Sequence, residues 1–107
     1  MNNEPKPLSI TERQIAMTIL SQIGVQNCMC LGMPSKWVLP ESSEIRGGLG
    51  FKFTNCFKIR NGTVLVKLMA DDTYTVVISN QLGNEKATQS NLYCEDLAGY
   101  LMEKIGY

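Results

Sequence analysis

Hydrophobic positions in the first quarter of the chain recur with the period of a helix. Ile15, Ala16, Ile19, Leu20 and Ile23 fall on one stripe at 3.6-residue spacing, which predicts an amphipathic helix. Two capping boxes overlap at its start, Ser9-x-x-Glu12 and Thr11-x-x-Gln14. Thr11 is the preferred cap, because Ile10 and Ile15 then take the two staple positions. Gly24 follows the last apolar residue, where a left-handed C-terminal cap is expected.

The period then shortens to two. Over 25–31 the pattern reads as extended, with Cys28 and Cys30 on one side and Met29 on the other, until Gly32 and Pro34 break it. Trp37, Val38 and Leu39 form a short apolar patch closed by Pro40, and 41–50 reads as a loop ending in Gly47-Gly48-Leu49-Gly50. Phe51, Phe53, Phe57 and Ile59 share one parity against Lys52, Thr54, Lys58 and Arg60, which predicts a half-buried strand with a wet face. Asn61-Gly62 is a strong tight-hairpin signal. A second strand follows over 63–69, with Val64, Val66 and Leu68 inward and Lys67 outward. Asp71-Asp72 makes a turn into a third strand over 73–79, where Tyr74, Val76 and Ile78 are in phase.

The segment 80–89 is polar and reads as a loop. Ser90 or Asn91 then caps a last helix, with Glu95 and Asp96 in its first turn and Lys104 in its last, as the helix dipole favours. Tyr93, Leu97, Tyr100, Leu101 and Ile105 line one face of it, and Gly106 stops it. The expected fold is α+β: an N-terminal helix, an antiparallel meander of three to four strands and a C-terminal helix. It forms one two-layer domain over 9–107, preceded by a flexible tail, 1–8.

Composition removes more functions than it suggests. The 107 residues carry ten Lys plus Arg against ten Asp plus Glu and no histidine. Zero net charge argues against gripping nucleic acid or anionic membrane by bulk charge. Without histidine the chain lacks the commonest general base, metal ligand and physiological-pH switch. No apolar run approaches the roughly 20 residues that span a bilayer. The polar start, with Pro5 and Pro7, has neither the basic start nor the apolar core of a secretory signal, so a cytoplasmic location is expected.

Candidate chemistry is correspondingly thin. Cys28, Cys30, Cys56 and Cys94 contain no C-x-x-C knuckle and are unevenly spaced, so free thiols are expected rather than zinc. No imidazole is available to activate a cysteine nucleophile, and Glu95 and Asp96 oppose a thiolate at Cys94. Asp71-Asp72 is the composition of a turn. The glycine cluster leads into a strand rather than a helix and lacks the Gly-Lys-Ser/Thr ending of a phosphate loop. No catalytic, cofactor-binding or metal-binding residue is expected, and the chain reads as a binding protein rather than an enzyme.

Charge is nevertheless patterned. Lys52, Lys58, Arg60 and Lys67 all fall on the expected wet side of two paired strands, while Glu41, Glu44, Glu95, Asp96 and Glu103 lie elsewhere. Such a face is an ordinary solvated sheet surface, where lysine discourages edge pairing, or a docking surface for an acidic protein or nucleic acid. Interleaved aromatic residues for base stacking are missing from it. Trp37, on a proline-flanked segment, is the candidate anchor. A protein partner leads, nucleic acid is the alternative, and a monomer or homodimer is expected.

Four segments carry a resemblance: Thr18-Ile19-Leu20-Ser21-Gln22-Ile23-Gly24, Gly48-Leu49-Gly50-Phe51-Lys52-Phe53, Ala70-Asp71-Asp72-Thr73-Tyr74-Thr75-Val76 and Leu92-Tyr93-Cys94-Glu95-Asp96-Leu97. Across about 11–107 the pattern resembles small, uncharacterised proteins encoded by bacteriophages and mobile elements of gut bacteria. Those proteins tend to have an Ala-Lys-Asn-Phe-like stretch where this chain has Met33-Pro34-Ser35-Lys36-Trp37. The resemblance implies a mobile-element origin and a bacterial host cytoplasm. With that origin goes a host-directed task, such as inhibiting a defence system of the CRISPR-effector kind. It assigns no site residues.

Overall fold

A computed structural model describes residues 10–106. The expected tail 1–8, the Ser9 cap and Tyr107 lie outside the described residues. Helix α1 spans Ile10–Ile23 and buries Ala16, Ile19 and Ile23, the stripe expected from the sequence. Gly24, at φ +91°, turns the chain into a second helix, α2, over Val25–Leu31. This replaces the extended segment expected there. The three-residue spacing of Val25, Cys28 and Leu31 is helical, and it sends Leu31 into the core while Cys28 is half-buried. Asn27 Nδ2 also donates to Ile23 O at 2.8 Å, tying α2 to the end of α1. Gly32 closes α2 in the left-handed conformation, its N–H shared between Cys28 O and Met29 O.

The sheet is antiparallel and runs in chain order: β1 Lys36–Leu39, β2 Ile45–Phe53, β3 Gly62–Met69, β4 Tyr74–Asn80 and β5 Glu85–Leu92. The meander thus has five strands, two more than the clear alternation accounts for. β1 is the Trp37 patch, and β2 begins inside the expected 41–50 loop. β5 falls in the polar stretch read as a loop. Its turn is built by Asn80, whose Oδ1 accepts from Leu82 N–H at 3.0 Å and Asn84 N–H at 2.9 Å. As an edge strand with mostly exposed residues, β5 gives no apolar alternation to read.

A second departure lies at 54–61. The strand expected to run to Arg60 stops at Phe53, and Gly62 already pairs with Phe53 inside the β2–β3 ladder. The eight residues between form a wide loop fixed to the helices. Thr54 N–H donates to Leu31 O at 3.1 Å and Lys58 N–H donates to Ile105 O at 2.9 Å. Gly62 serves close approach rather than a tight turn. A Cβ there would run into Ser79 O and the Phe53 ring.

The chain ends in a 3-10 turn, Cys94–Asp96, then α3, Leu97–Leu101, then a π-helical turn, Met102–Gly106. Asp96 rather than Ser90 or Asn91 secures its start, accepting from Tyr93 N–H at 3.0 Å. α1, α2 and this segment cover one face of the sheet. Their Ile19, Ile23, Leu31, Leu97, Leu101 and Ile105 meet Leu49, Phe51, Phe53, Val64, Val66, Val76 and Ile78 in one core. The α+β layering, with helices at both ends of an antiparallel meander, is the one the sequence predicts.

Candidate functional site

No described helix lies on the other face of the sheet. Directly paired residues of an antiparallel ladder point to the same side. The registers therefore align Trp37, Gly50, Leu65, Val77 and Thr88 in one row across all five strands. A neighbouring row holds Leu39, Gly48, Lys67 and Thr75, and on the opposite flank Lys52, Thr63 and Ser79 form a third. The face is thus an apolar band, Trp37–Leu65–Val77 with Leu39 beside it, bordered by Lys52 and Lys67.

Trp37 is seated rather than splayed. Its indole lies against the Cα of Gly50, in space that any side chain at position 50 would claim, and Leu39 lies beside Gly48, where Val66 O also closes the space. Glycine on one strand and a large side chain on its neighbour form a complementary pair. Trp37 remains 38% exposed, so the ring is held by the sheet and still presents a surface. Leu65 and Val77 are half-buried and no described helix lies above them.

Of the residues singled out from sequence, this face brings together Trp37, Lys52 and Lys67. Lys58 and Arg60 are not on it, because the alternation carrying them lies in the 54–61 loop. Lys58 Nζ donates to Glu103 O at 2.5 Å beside the C-terminal helical turn, and Arg60 borders a cavity with Cys30, Cys56 and Met102. The basic patch of four becomes a pair flanking an apolar band. Five of the acids lie off this face, Glu41 and Glu44 between β1 and β2 and Glu95, Asp96 and Glu103 in the C-terminal helical segment, while Glu85 of β5 pairs with Ser79 at the far end of the Lys52 row.

Leu39, Leu65 and Val77 were not foreseen as site residues. Their signal was present. Val64-Leu65-Val66 and Val76-Val77-Ile78 are apolar on both parities, which marks strands whose second face is also out of water or awaiting cover.

A second apolar surface runs between α1 and α2. Met17, Val25 and Met29 are 69%, 78% and 75% exposed and, with Leu20, Cys28 and Met33, line a cleft of about 570 Å³ with Lys36 at its edge.

The remaining candidates are dispersed. Cys28 is half-buried and faces that cleft, Cys56 is buried, and Cys30 and Cys94 are exposed. Burial pushes the Cys28 and Cys56 thiols above their ordinary value. Among the described residues no group of three or more Cys, Asp or Glu side chains is placed to hold a metal ion. Asp71 accepts from Thr73 Oγ1 at 2.6 Å and Thr73 N–H at 3.1 Å, which holds its carboxyl below the usual range and fixes a turn. Gly47 and Gly48 lie within β2 rather than in a loop facing a helix N-terminus. No described helix is long and apolar enough to cross a membrane.

Fold and face together define a class: a two-layer α+β domain with one sheet face left open by the described helices and Trp37 on its edge strand. Compared with known proteins, the chain matches no family model, no curated protein and no solved structure.

Proposed function

We propose that this chain is a non-enzymatic binding protein that docks its open sheet face on an acidic surface of a protein partner. The observation that supports the reading is the single row Trp37–Gly50–Leu65–Val77 bordered by Lys52 and Lys67. A rigid, half-exposed indole is the kind of anchor that dominates interface energetics, and charge at the rim steers the encounter. The complementary partner presents an apolar side chain between carboxylates. Two lysines are few for a nucleic-acid surface, where affinity grows with the number of phosphates neutralised. The four-segment resemblance to phage and mobile-element proteins suggests that the partner is a host protein in a bacterial cytoplasm. Inhibition of a defence effector, such as a CRISPR effector, is the task we assign it.

Affinity capture from a bacterial host lysate, followed by purification of the captured protein, tests this. Kd for the purified pair rises by about 30-fold with Trp37→Ala, the size of a hot-spot loss. Lys52→Glu with Lys67→Glu also weakens binding, and the partner's contact surface maps to carboxylates. Unchanged affinity in both variants overturns the assignment. Retention on DNA or RNA at low salt, lost in the lysine variant, replaces it with the nucleic-acid reading.

A further inference from the structure

We infer that Cys30 and Cys56 form a modification site, a thiol pair that closes to an intramolecular disulfide when it meets a low-molecular-weight disulfide. Cys30 is exposed in the last turn of α2, and Cys56 sits buried in the 54–61 loop. The Cys56 Sγ lies 3.9 Å from Cys30 O and 3.8 Å from Leu31 O, so it points at the turn of helix that carries Cys30. A carbonyl oxygen and the Cβ of its own residue are three bonds apart, so the Cys56 sulfur lies beside the residue that carries the second thiol. Both residues line the same cavity, of about 460 Å³, with Asn55, Arg60 and Met102. The Cys30 thiol also adds to burial in holding the Cys56 thiol above its ordinary value, as expected of neighbouring sulfurs.

The backbone already holds the two positions together. Thr54 N–H donates to Leu31 O at 3.1 Å, Thr54 Oγ1 to Gly32 O at 3.5 Å, and Cys56 N–H to Arg60 O at 2.9 Å. The two thiol-bearing segments are therefore held beside each other before any bond forms. The other thiols are elsewhere: Cys28 faces the cleft beside Lys36, and Cys94 opens the C-terminal helical segment.

Balanced exchange proceeds in two steps. The exposed Cys30 thiolate attacks one sulfur of the small disulfide, its S–S bond breaks, and one small thiolate leaves to take up a proton. Cys56 then loses its proton and attacks the Cys30 sulfur, expelling the second small thiol. Two protein thiols are oxidised and one small disulfide is reduced to two thiols. The product pins the end of α2 to the 54–61 loop, closes the chain between them, and restricts the unfolded state.

Oxidised glutathione is the probe. A chain carrying Cys28→Ser and Cys94→Ser loses both remaining thiols, loses the mass of two hydrogens and retains no glutathione, and dithiothreitol restores both thiols. With Cys56→Ser added, one glutathione stays on Cys30. The unsubstituted chain gives the same Cys30–Cys56 cross-linked peptide on digestion, which covers the case of a serine background that folds poorly, and its thermal midpoint rises on oxidation. A glutathione retained on Cys30 while Cys56 stays free, a cross-link between two chains, a cross-link to Cys28 or Cys94, or four unreacted thiols each overturn the inference.

Discussion

The two faces of the sheet are made by the same strands and differ in what fills the space between side chains. On the covered face Phe51, Val64, Val66, Val76 and Ile78 are each 0% exposed, interlocked with Ile19, Ile23, Leu97 and Ile105 from the helices. On the open face the large groups come from the edge strand. Trp37 and Leu39 lie over glycines, and Leu65 and Val77 continue the band into the centre. One face is apolar because helices cover it, while the other is apolar although no described helix does. Each fully buried apolar side chain stabilises the fold by about 1.5–3 kcal/mol relative to exposure. The open band gains only part of that, and the remaining gain is available to whatever covers it.

The largest break in this comparison comes from truncating matched positions. Phe51→Ala removes a fully buried ring from between the layers and costs about 3–5 kcal/mol in denaturant unfolding. Leu65→Ala, one ladder row away on the open face, costs about 1 kcal/mol, because its neighbours can relax into solvent. Equal losses at the two positions would mean that the open face is packed as a second core.

Glycine positions sharpen the same contrast at smaller scale. Gly62→Ala puts a methyl group against Ser79 O and the Phe53 ring, neither of which can retreat, and costs about 1–3 kcal/mol in thermal or chemical unfolding. Gly50→Ala meets the indole of Trp37, which can swing outward at a cost of about 1 kcal/mol. Trp37 is the sole tryptophan, so its displacement is read directly as a red shift in intrinsic fluorescence. The charged border weighs least in the fold: Lys52→Glu with Lys67→Glu shifts unfolding stability by no more than about 0.5 kcal/mol, although it weakens the proposed docking.

The covered face was the legible part of this molecule. The stripe Ile15–Ala16–Ile19–Leu20–Ile23 and the alternations Phe51/Phe53, Val64/Val66 and Tyr74/Val76/Ile78 report burial on one side, which is what a periodic pattern encodes. The open face was legible only in part. Lys52 and Lys67 share a parity with it, but Lys58 and Arg60 continue that parity into a segment whose backbone bonds go to Leu31 and Ile105. Those long-range bonds leave no trace in local spacing. α2 was missed because seven residues with Cys28 and Cys30 two apart also fit an alternating pattern. β5 was missed because an exposed edge strand has no buried side to mark. The seating of Trp37 depends on a glycine thirteen positions away, a pairing visible only once the β1–β2 register is known.

The smallest effect belongs to the turn joining β3 and β4, which supports both faces and faces neither. Asp71 is exposed, and two hydrogen bonds from Thr73 hold its carboxyl below the ordinary value. A carboxyl lowered in the folded state contributes its stability above the unfolded value and loses it as pH falls through the folded one. The contribution is therefore intact at neutral pH and disappears on the acid side of the usual carboxylate range. NMR titration of the Asp71 carboxyl reads this directly. Thr73→Ala removes the side-chain bond and moves the midpoint up towards the ordinary carboxylate value, while Trp37 fluorescence and the Phe51 environment stay unchanged. A turn mutation that disturbed the indole as well would show that the open face depends on the β3–β4 register rather than on the Trp37–Gly50 contact alone.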